Sequence, residues 1–283
     1  MPRQILNVSI AEGNLEVELR GSGPAVLCLH GISANRQVWK SVADELAPRF
    51  RLILVDLLSR GRSEARPDLS YRFAEEIRRL RELLAELDLS PGLVIGHSQG
   101  AALALALASV DDGVRGLVLV NPVTPWTRRP RALRLLRSGL MRQAVAGIIR
   151  PLRRPLAHVI LRRVYGSGTM VTGQRVTAYS EPYADPRRAR ALFRLLADWE
   201  PGDLADWLPA APVAASVLTG GLDPRIEPEQ ARRLARLLGG RFTLVPAGGH
   251  ALPEETPGQV ADAIERVHGE LKRREGIEED DQE

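Results

Sequence analysis

Apolar residues in this 283-residue chain recur in short runs separated by polar turns. Residues 5–10 and 15–19 show the alternation of half-buried strands. The runs at 25–29, 52–55, 93–96, 117–120, 213–219 and 241–245, alternating or continuous, predict further strands. Between most of the later runs the spacing changes to a helical one, which predicts helices over 71–87, 98–109, 228–238 and 257–273. Strand–helix alternation at this spacing calls for a mostly parallel sheet with helices on both faces. The first two runs, joined by Glu12-Gly13-Asn14, instead predict an antiparallel hairpin at the sheet edge.

The alternation stops after Asn121 and resumes at Val213. The intervening chain is helical in pattern. Leu133, Leu136, Leu140, Val145, Ile148 and Ile149 predict one helix face, continued by Leu156, Ile160 and Val164. The predicted division is therefore an α/β core from 1–122 and 209–274, a helical insertion over 123–208, and a tail from 275 to 283.

Charge alters this picture in two places. Of the 39 cationic residues all but Lys40 and Lys272 are arginines, and sixteen of them fall between Pro122 and Glu200 against four acidic residues. The tail carries six acidic residues and no basic one, which predicts a solvated, disordered end. A hydrophobic content of 44% and a charged content of 26% are ordinary for a soluble globular chain. The lone Cys28 excludes an internal disulfide and reads as a buried structural thiol. No secretory signal follows Met1-Pro2-Arg3-Gln4-Ile5, and no run approaches the ~18 apolar residues of a membrane span. Cytoplasm is the expected compartment.

The candidate chemistry centres on Gly96-His97-Ser98-Gln99-Gly100, which follows the apolar run Leu93-Val94-Ile95 and precedes the helix-forming run from Ala101 to Ala108. Strand, sharp turn and helix with a serine at the apex describe a strained turn that lifts its central side chain above the sheet edge. The bend brings together the residues two before and two after the serine, so both favour glycine.

With this context the chain resembles the α/β-hydrolase fold in its serine-nucleophile branch, from about Leu15 to about Val267. Five segments in the family's order carry the resemblance. His30-Gly31-Ile32-Ser33, after the strand Ala25 to Leu29, looks like the oxyanion loop. Asp56 to Ser63 resembles the loop D-x-x-G-x-G-x-S, with Ser59 in place of its first glycine. The serine turn follows, then Asp223 in Gly220-Gly221-Leu222-Asp223-Pro224, and finally Gly248-Gly249-His250. The order Ser98, Asp223, His250 is that of the hydrolases and of neither unrelated serine-protease order.

The resemblance implies a catalytic Ser98, His250 as its base, and Asp223 to orient and stabilise the imidazolium. It implies an oxyanion hole made by the backbone N–H groups of Ile32 and Gln99, and a helical cap in 123–208. In this family the acid also occurs after the sixth strand, but Asn121 occupies that place and cannot carry a charge. Asp56 reads as a loop tie, and Asp203 and Asp206 as weaker alternatives. His30 and His97 read as structural; His158 and His268 have no evident role. Singly, each catalytic candidate has a bland explanation as a turn or surface residue; the ordered set at three strand ends does not.

Serine at the turn argues against the aspartate-nucleophile dehalogenase and epoxide-hydrolase branches. Gly21-Ser22-Gly23 lacks the third glycine of a dinucleotide fingerprint at Val26, and no His/Cys cluster has zinc spacing. No cofactor and no metal are expected. The leading expectation is a carboxylesterase-like serine hydrolase acting on a small-molecule acyl substrate, namely esters of small or medium hydrophobic acids or alcohols. Trp126, Trp199 and apolar cap residues are candidate pocket walls, although cap-to-core packing explains the tryptophans as well. The second reading keeps the triad for a diketone-type C–C bond or a thioester, with Arg128, Arg129 or Arg142 facing a substrate carboxylate. The third is a non-enzymatic ligand sensor, or a binder of nucleic acid or an acidic surface; no nucleic-acid motif is present and none is expected as partner.

Overall fold

The computed structural model describes residues 3–276. Of the acidic tail, 277–283 lies outside the described residues. Eight strands form one sheet: β1 (Arg3–Ile10), β2 (Gly13–Arg20), β3 (Ala25–Leu29), β4 (Arg51–Val55), β5 (Leu93–His97), β6 (Gly116–Val120), β7 (Ala214–Gly220) and β8 (Arg241–Val245). Their spatial order is β1-β2-β4-β3-β5-β6-β7-β8. β2 is antiparallel to both β1 and β4, and the remaining pairs are parallel. The edge hairpin is tighter than expected, because Gly13 already pairs with Ile10 and only Ala11 and Glu12 form the loop.

The continuous apolar runs are explained by burial on both faces. Leu27, Leu29, Ile53, Val55, Leu117 and Leu119 point to one side, where they meet α2 (Phe73–Glu86) and α3 (Gln99–Ala108). Val26, Cys28, Leu52, Leu54, Val118 and Val120 point to the other. There the cover is α1 (Lys40–Leu46), which the sequence pattern missed, and a long C-terminal helix over Pro257–Arg274. Seven residues offer too few turns for periodicity to show α1, yet Val42, Ala43 and Leu46 are buried. Burial pushes the Cys28 thiol far above its ordinary pKa, as suits a structural residue.

Between β6 and β7 the chain is helical: α4 (Gly139–Val164), α5 (Gly173–Ser180) and α6 (Pro186–Asp198), with 3-10 turns at Arg131–Arg137, Glu181–Tyr183 and Pro201–Trp207. The single apolar face expected over 133–149 is split. Leu133 and Leu136 belong to the 3-10 turn, and α4 starts afresh at Gly139 with Ser138 as its cap. Leu136 packs with Ala146, Val145, Ile149 and α6, whereas Leu140 and Ile148 are 82% and 64% exposed. Trp199 packs on Phe73 with ring centroids 5.0 Å apart, and Arg233 stacks over Trp126 at 3.9 Å. Both tryptophans join this segment to the core. After β7 come α7 (Pro228–Leu237), α8 (Leu252–Glu255) and α9 (Pro257–Arg274).

Buried polar groups fix the loops at the carboxyl ends of the strands. Asp56 accepts the N–H of Arg36 (2.7 Å) and of Arg62 (2.9 Å) and pairs with the Arg36 guanidinium. Ser59, where the related loops have glycine, takes the glycine-like conformation at φ +65°. Its hydroxyl accepts the N–H of Arg66 (2.7 Å) and contacts the Tyr71 hydroxyl at 2.5 Å, which offsets the strain. His30 Nδ1–H donates to Gly31 O (2.7 Å) while its Nε2 accepts the N–H of Leu57 (3.1 Å). His97 Nε2–H donates to His250 O at 2.7 Å.

Burial lowers both imidazoles from 6.5 to about 3, aided for His30 by Arg60 and for His97 by the adjacent His250 ring. The folded protein thus keeps both rings neutral where an unfolded chain protonates them. The unfolded state binds more protons between pH 6.5 and about 3, so stability is lost as pH falls through that window. Each ring should cost on the order of 2 kcal/mol between pH 7 and 5. His97→Gln, which cannot titrate, should show a shallower loss of stability over that interval in urea unfolding. An unchanged pH slope would contradict the burial argument.

Candidate active site

The site is assembled at the carboxyl ends of β3, β5, β6, β7 and β8. Ser98 sits between β5 and α3 at φ 55°, ψ −114°, outside the ordinary regions for an L-residue. Sterics make this turn depend on glycine. A Cβ on Gly96 would lie 2.2 Å from Gly100 O, and one on Gly100 would lie 2.1 Å from Leu29 O. Ser98 is anchored through its N–H to Val120 O (2.9 Å) and through its C=O to the N–H of Val123 (3.2 Å).

His250 approaches from the loop after β8 and Asp223 from the loop after β7. Ser98 Oγ is 3.0 Å from His250 Nε2, and His250 Nδ1 is 2.7 Å from Asp223 Oδ2. Asp223 Oδ1 accepts the N–H of Arg225 (2.7 Å) and Ile226 (3.1 Å). Burial alone would raise the Asp223 pKa, but the His250 bond and these backbone donors hold it below the ordinary carboxylate value. An ionised Asp223 places the imidazole proton on Nδ1, which leaves the Nε2 lone pair directed at Oγ.

The backbone donors expected beside Ser98 are available. Gly31 packs so closely that a Cβ there would be 3.2 Å from Ser98 Cβ, so the residue before Ile32 lies against the serine. Gln99 opens α3, where a first-turn N–H has no intrahelical acceptor. Neither N–H bonds to protein among the described residues. The Gln99 side chain is 1% exposed, and both its polar atoms lack a partner among the described residues.

Two contributors were not evident from the sequence. Asn121, at φ 45°, donates from Nδ2 to Asp223 Oδ2 (2.6 Å) and Gly249 O (3.1 Å). The residue that could not serve as the acid is thus a ligand of the candidate acid. Glu255, on α8, accepts the N–H groups of Gly166 (2.8 Å), Gly249 (3.0 Å) and Ala251 (3.0 Å). It grips the backbone on both sides of His250, whose own N–H donates to Val164 O at 2.6 Å. A glutamate five residues beyond the histidine was the one sequence signal for this clamp, and it is a weak one.

Other candidates lie elsewhere. Arg129 pairs with Glu200 and donates to Ala197 O (3.1 Å), while Arg142 donates to Leu136 O and Arg137 O, both at 2.8 Å. These bonds hold the insertion together. Arg128, His158, Asp203 and Asp206 are exposed, and His268 meets Phe50 edge-on at 5.1 Å. Among the described residues no three His, Cys, Asp or Glu side chains are grouped to hold a metal ion.

Comparison with known proteins agrees with this architecture. The sequence model of the alpha/beta hydrolase family matches residues 26–263. A haloalkane dehalogenase of Mesorhizobium japonicum is 28% identical over 272 residues, covering 89% of this chain and 85% of that protein. An N-formylmaleamate deformylase of Pseudomonas putida is 26% identical over 248 residues, covering 82% and 84%. The solved structure of a thermophilic esterase from Thermogutta terrifontis superposes with a TM-score of 0.74 at 25% identity, covering 96% of this chain and 99% of that one. With the family's model spanning most of its length, this chain belongs to the α/β hydrolase family.

Proposed function

We propose that the protein is a serine hydrolase that cleaves carboxylic esters of small or medium hydrophobic substrates through Ser98, His250 and Asp223. The observation that carries this reading is the Ser98 Oγ–His250 Nε2 approach of 3.0 Å beside two backbone N–H groups without protein acceptors. Ser98 attacks the ester carbonyl as His250 takes its proton. The oxyanion accepts from Ile32 and Gln99, donors that elsewhere are worth ~3 kcal/mol each. His250 then protonates the departing alcohol, leaving an acyl-serine. Water, deprotonated by His250, attacks the acyl carbonyl and releases the acid and free Ser98. We read residues 123–208 as the cap over this site.

A serine at the apex of the turn favours acyl transfer over the alkyl chemistry named for the dehalogenase relative. The deformylase relative keeps other acyl bonds open as substrates. A carboxylate clamp by Arg129 or Arg142 loses support, because both guanidinium groups are occupied within the insertion.

Ser98→Ala should abolish ester turnover by a factor on the order of 10⁴–10⁶ with the fold intact by circular dichroism, and should eliminate labelling by a fluorophosphonate. A variant retaining a tenth of the activity refutes the nucleophile. Asp223→Asn should lower kcat by about 10⁴-fold by disturbing the tautomer of His250. Asp56→Asn should instead lower the unfolding midpoint without a comparable effect on kcat; equal kcat losses would mean that the acid is misassigned. Glu255 is a positioning residue in this scheme. Glu255→Ala should reduce kcat by roughly ten- to a hundredfold with KM changed little, as expected for a misplaced catalytic group. A purely structural role would lower stability alone.

A further inference from the structure

The inner face of α4 buries Ala146, Ala157 and Leu161 against α5, α6 and the residues around His250. Its outer face is apolar as well. Met141, Ile148, Leu152 and Val159 follow one another at intervals that return to nearly the same angle of a 3.6-residue helix. At the helical rise the stripe is ~27 Å long. Ile148 is 64% exposed, and Leu152 and Val159 are each 49% exposed. More than half of the large apolar side chains left exposed among the described residues belong to this one helix. A contiguous patch of that kind marks an interaction surface more often than chance exposure does.

The charges on the helix identify the partner. α4 contains six arginines and neither aspartate nor glutamate. Among the described residues none of the six is in an ion pair, whereas Arg36, Arg60 and Arg79 in the core all are. Arg162 and Arg163 lie on either side of the stripe near its C-terminal end, with His158 one turn before Arg162, and all three are exposed. Long cationic side chains beside an apolar stripe can bury their stems while their heads reach anionic groups.

We propose that the outer face of α4 docks on an anionic lipid surface, with the helix in the plane of the interface and the apolar stripe inserted at the headgroup boundary. The arrangement fits this partner better than the alternatives. A second copy seated face to face would bring two stripes flanked by Arg162 and Arg163 together with no carboxylate on either helix to pair them, a contact that disfavours association. Nucleic acid would satisfy the arginines but leave Ile148 and Leu152 without a partner. Spanning is not involved, since no helix among the described residues is long and apolar enough to cross a membrane. Docking also bears on the site, because Val164 O, at the end of α4, accepts the N–H of His250 at 2.6 Å. The inference itself is independent of the hydrolytic reading, and its test measures binding.

The full-length protein should co-float with vesicles of phosphatidylcholine mixed with phosphatidylglycerol and not with phosphatidylcholine alone. Raising the salt concentration should weaken that binding by about tenfold. Ile148→Ser/Leu152→Ser/Val159→Ser should lower partitioning by at least about tenfold, with circular dichroism unchanged and turnover of a short soluble ester within about twofold. Arg162→Gln/Arg163→Gln should lower partitioning comparably. The proposal is overturned if neutral vesicles bind equally well, if no vesicle binds, or if either multiple variant partitions like the parent. Two further results would overturn it. One is a dimer in sedimentation that the serine variant dissociates, which would make the stripe a contact between copies. The other is binding of duplex DNA, in the absence of vesicle binding, that the serine variant leaves intact.

Discussion

Backbone contact without room for side chains governs the placement of Ser98. At Gly96, Gly100 and Gly31 three chain segments converge, and a single methyl group at either of the first two would lie within 2.2 Å of a carbonyl oxygen. That closeness lets β5 turn directly into α3 and holds Ser98 at a positive φ, a conformation that costs about 1–3 kcal/mol at a non-glycine residue. The cost is offset by α3, every residue of which is buried, and by β5, which is buried along its full length. A helix so enclosed cannot rotate to relieve the strain, so the serine remains aimed out of the sheet.

The complementary half of the site is held by carboxylates with fixed donors. Asp223 takes bonds from His250, Asn121, Arg225 and Ile226, and Glu255 takes three backbone N–H groups around the His250 loop. Hydrogen bonds to a charged acceptor are worth about 1.5–3 kcal/mol each, enough to order short loops that have few apolar contacts of their own. The insertion takes part in this scaffold. Val164 O and Gly166 N–H, from the segment that follows β6, both bear on the loop that carries His250. The helical segment is therefore structurally continuous with the site, and a disturbance at the end of α4 has a short path to the imidazole.

The contrast among arginines follows the same physics. Arg36, Arg60 and Arg79 are almost completely buried and each is matched with carboxylates, as the cost of desolvating a charge requires. Those on α4 have no acidic partner among the described residues: Arg142 is tied to backbone carbonyls, whereas Arg150, Arg162 and Arg163 remain toward solvent, so their charge stays available to something outside the chain. A single excess of arginine in the composition thus covers two unrelated uses, which only burial separates.

Much of the fold was legible in local pattern. Strands covered on both faces must be apolar at consecutive positions, and the glycines at 96 and 100 had to flank the serine because the turn excludes any Cβ. Ser98, Asp223, His250, Ile32 and Gln99 were picked out as candidates from order and local context, and the structure sets the first three in hydrogen-bond contact. Other features depended on contacts distant in sequence. Ser59 tolerates a glycine-like conformation because Tyr71 and Arg66 satisfy its hydroxyl. Asn121 became a ligand of Asp223 across 102 positions, and Glu255 reached back to Gly166 across 89. The short helix α1 and the split phase at Gly139 left too little periodicity to read. The sequence by itself determined the strand–helix alternation, the serine turn and the candidate residues, because sterics and burial act there within a few neighbours. Which face of α4 turned inward, which arginines stayed unpaired and which polar groups hold the histidine loop were decided by tertiary structure alone, because each depends on what the fold places opposite a side chain.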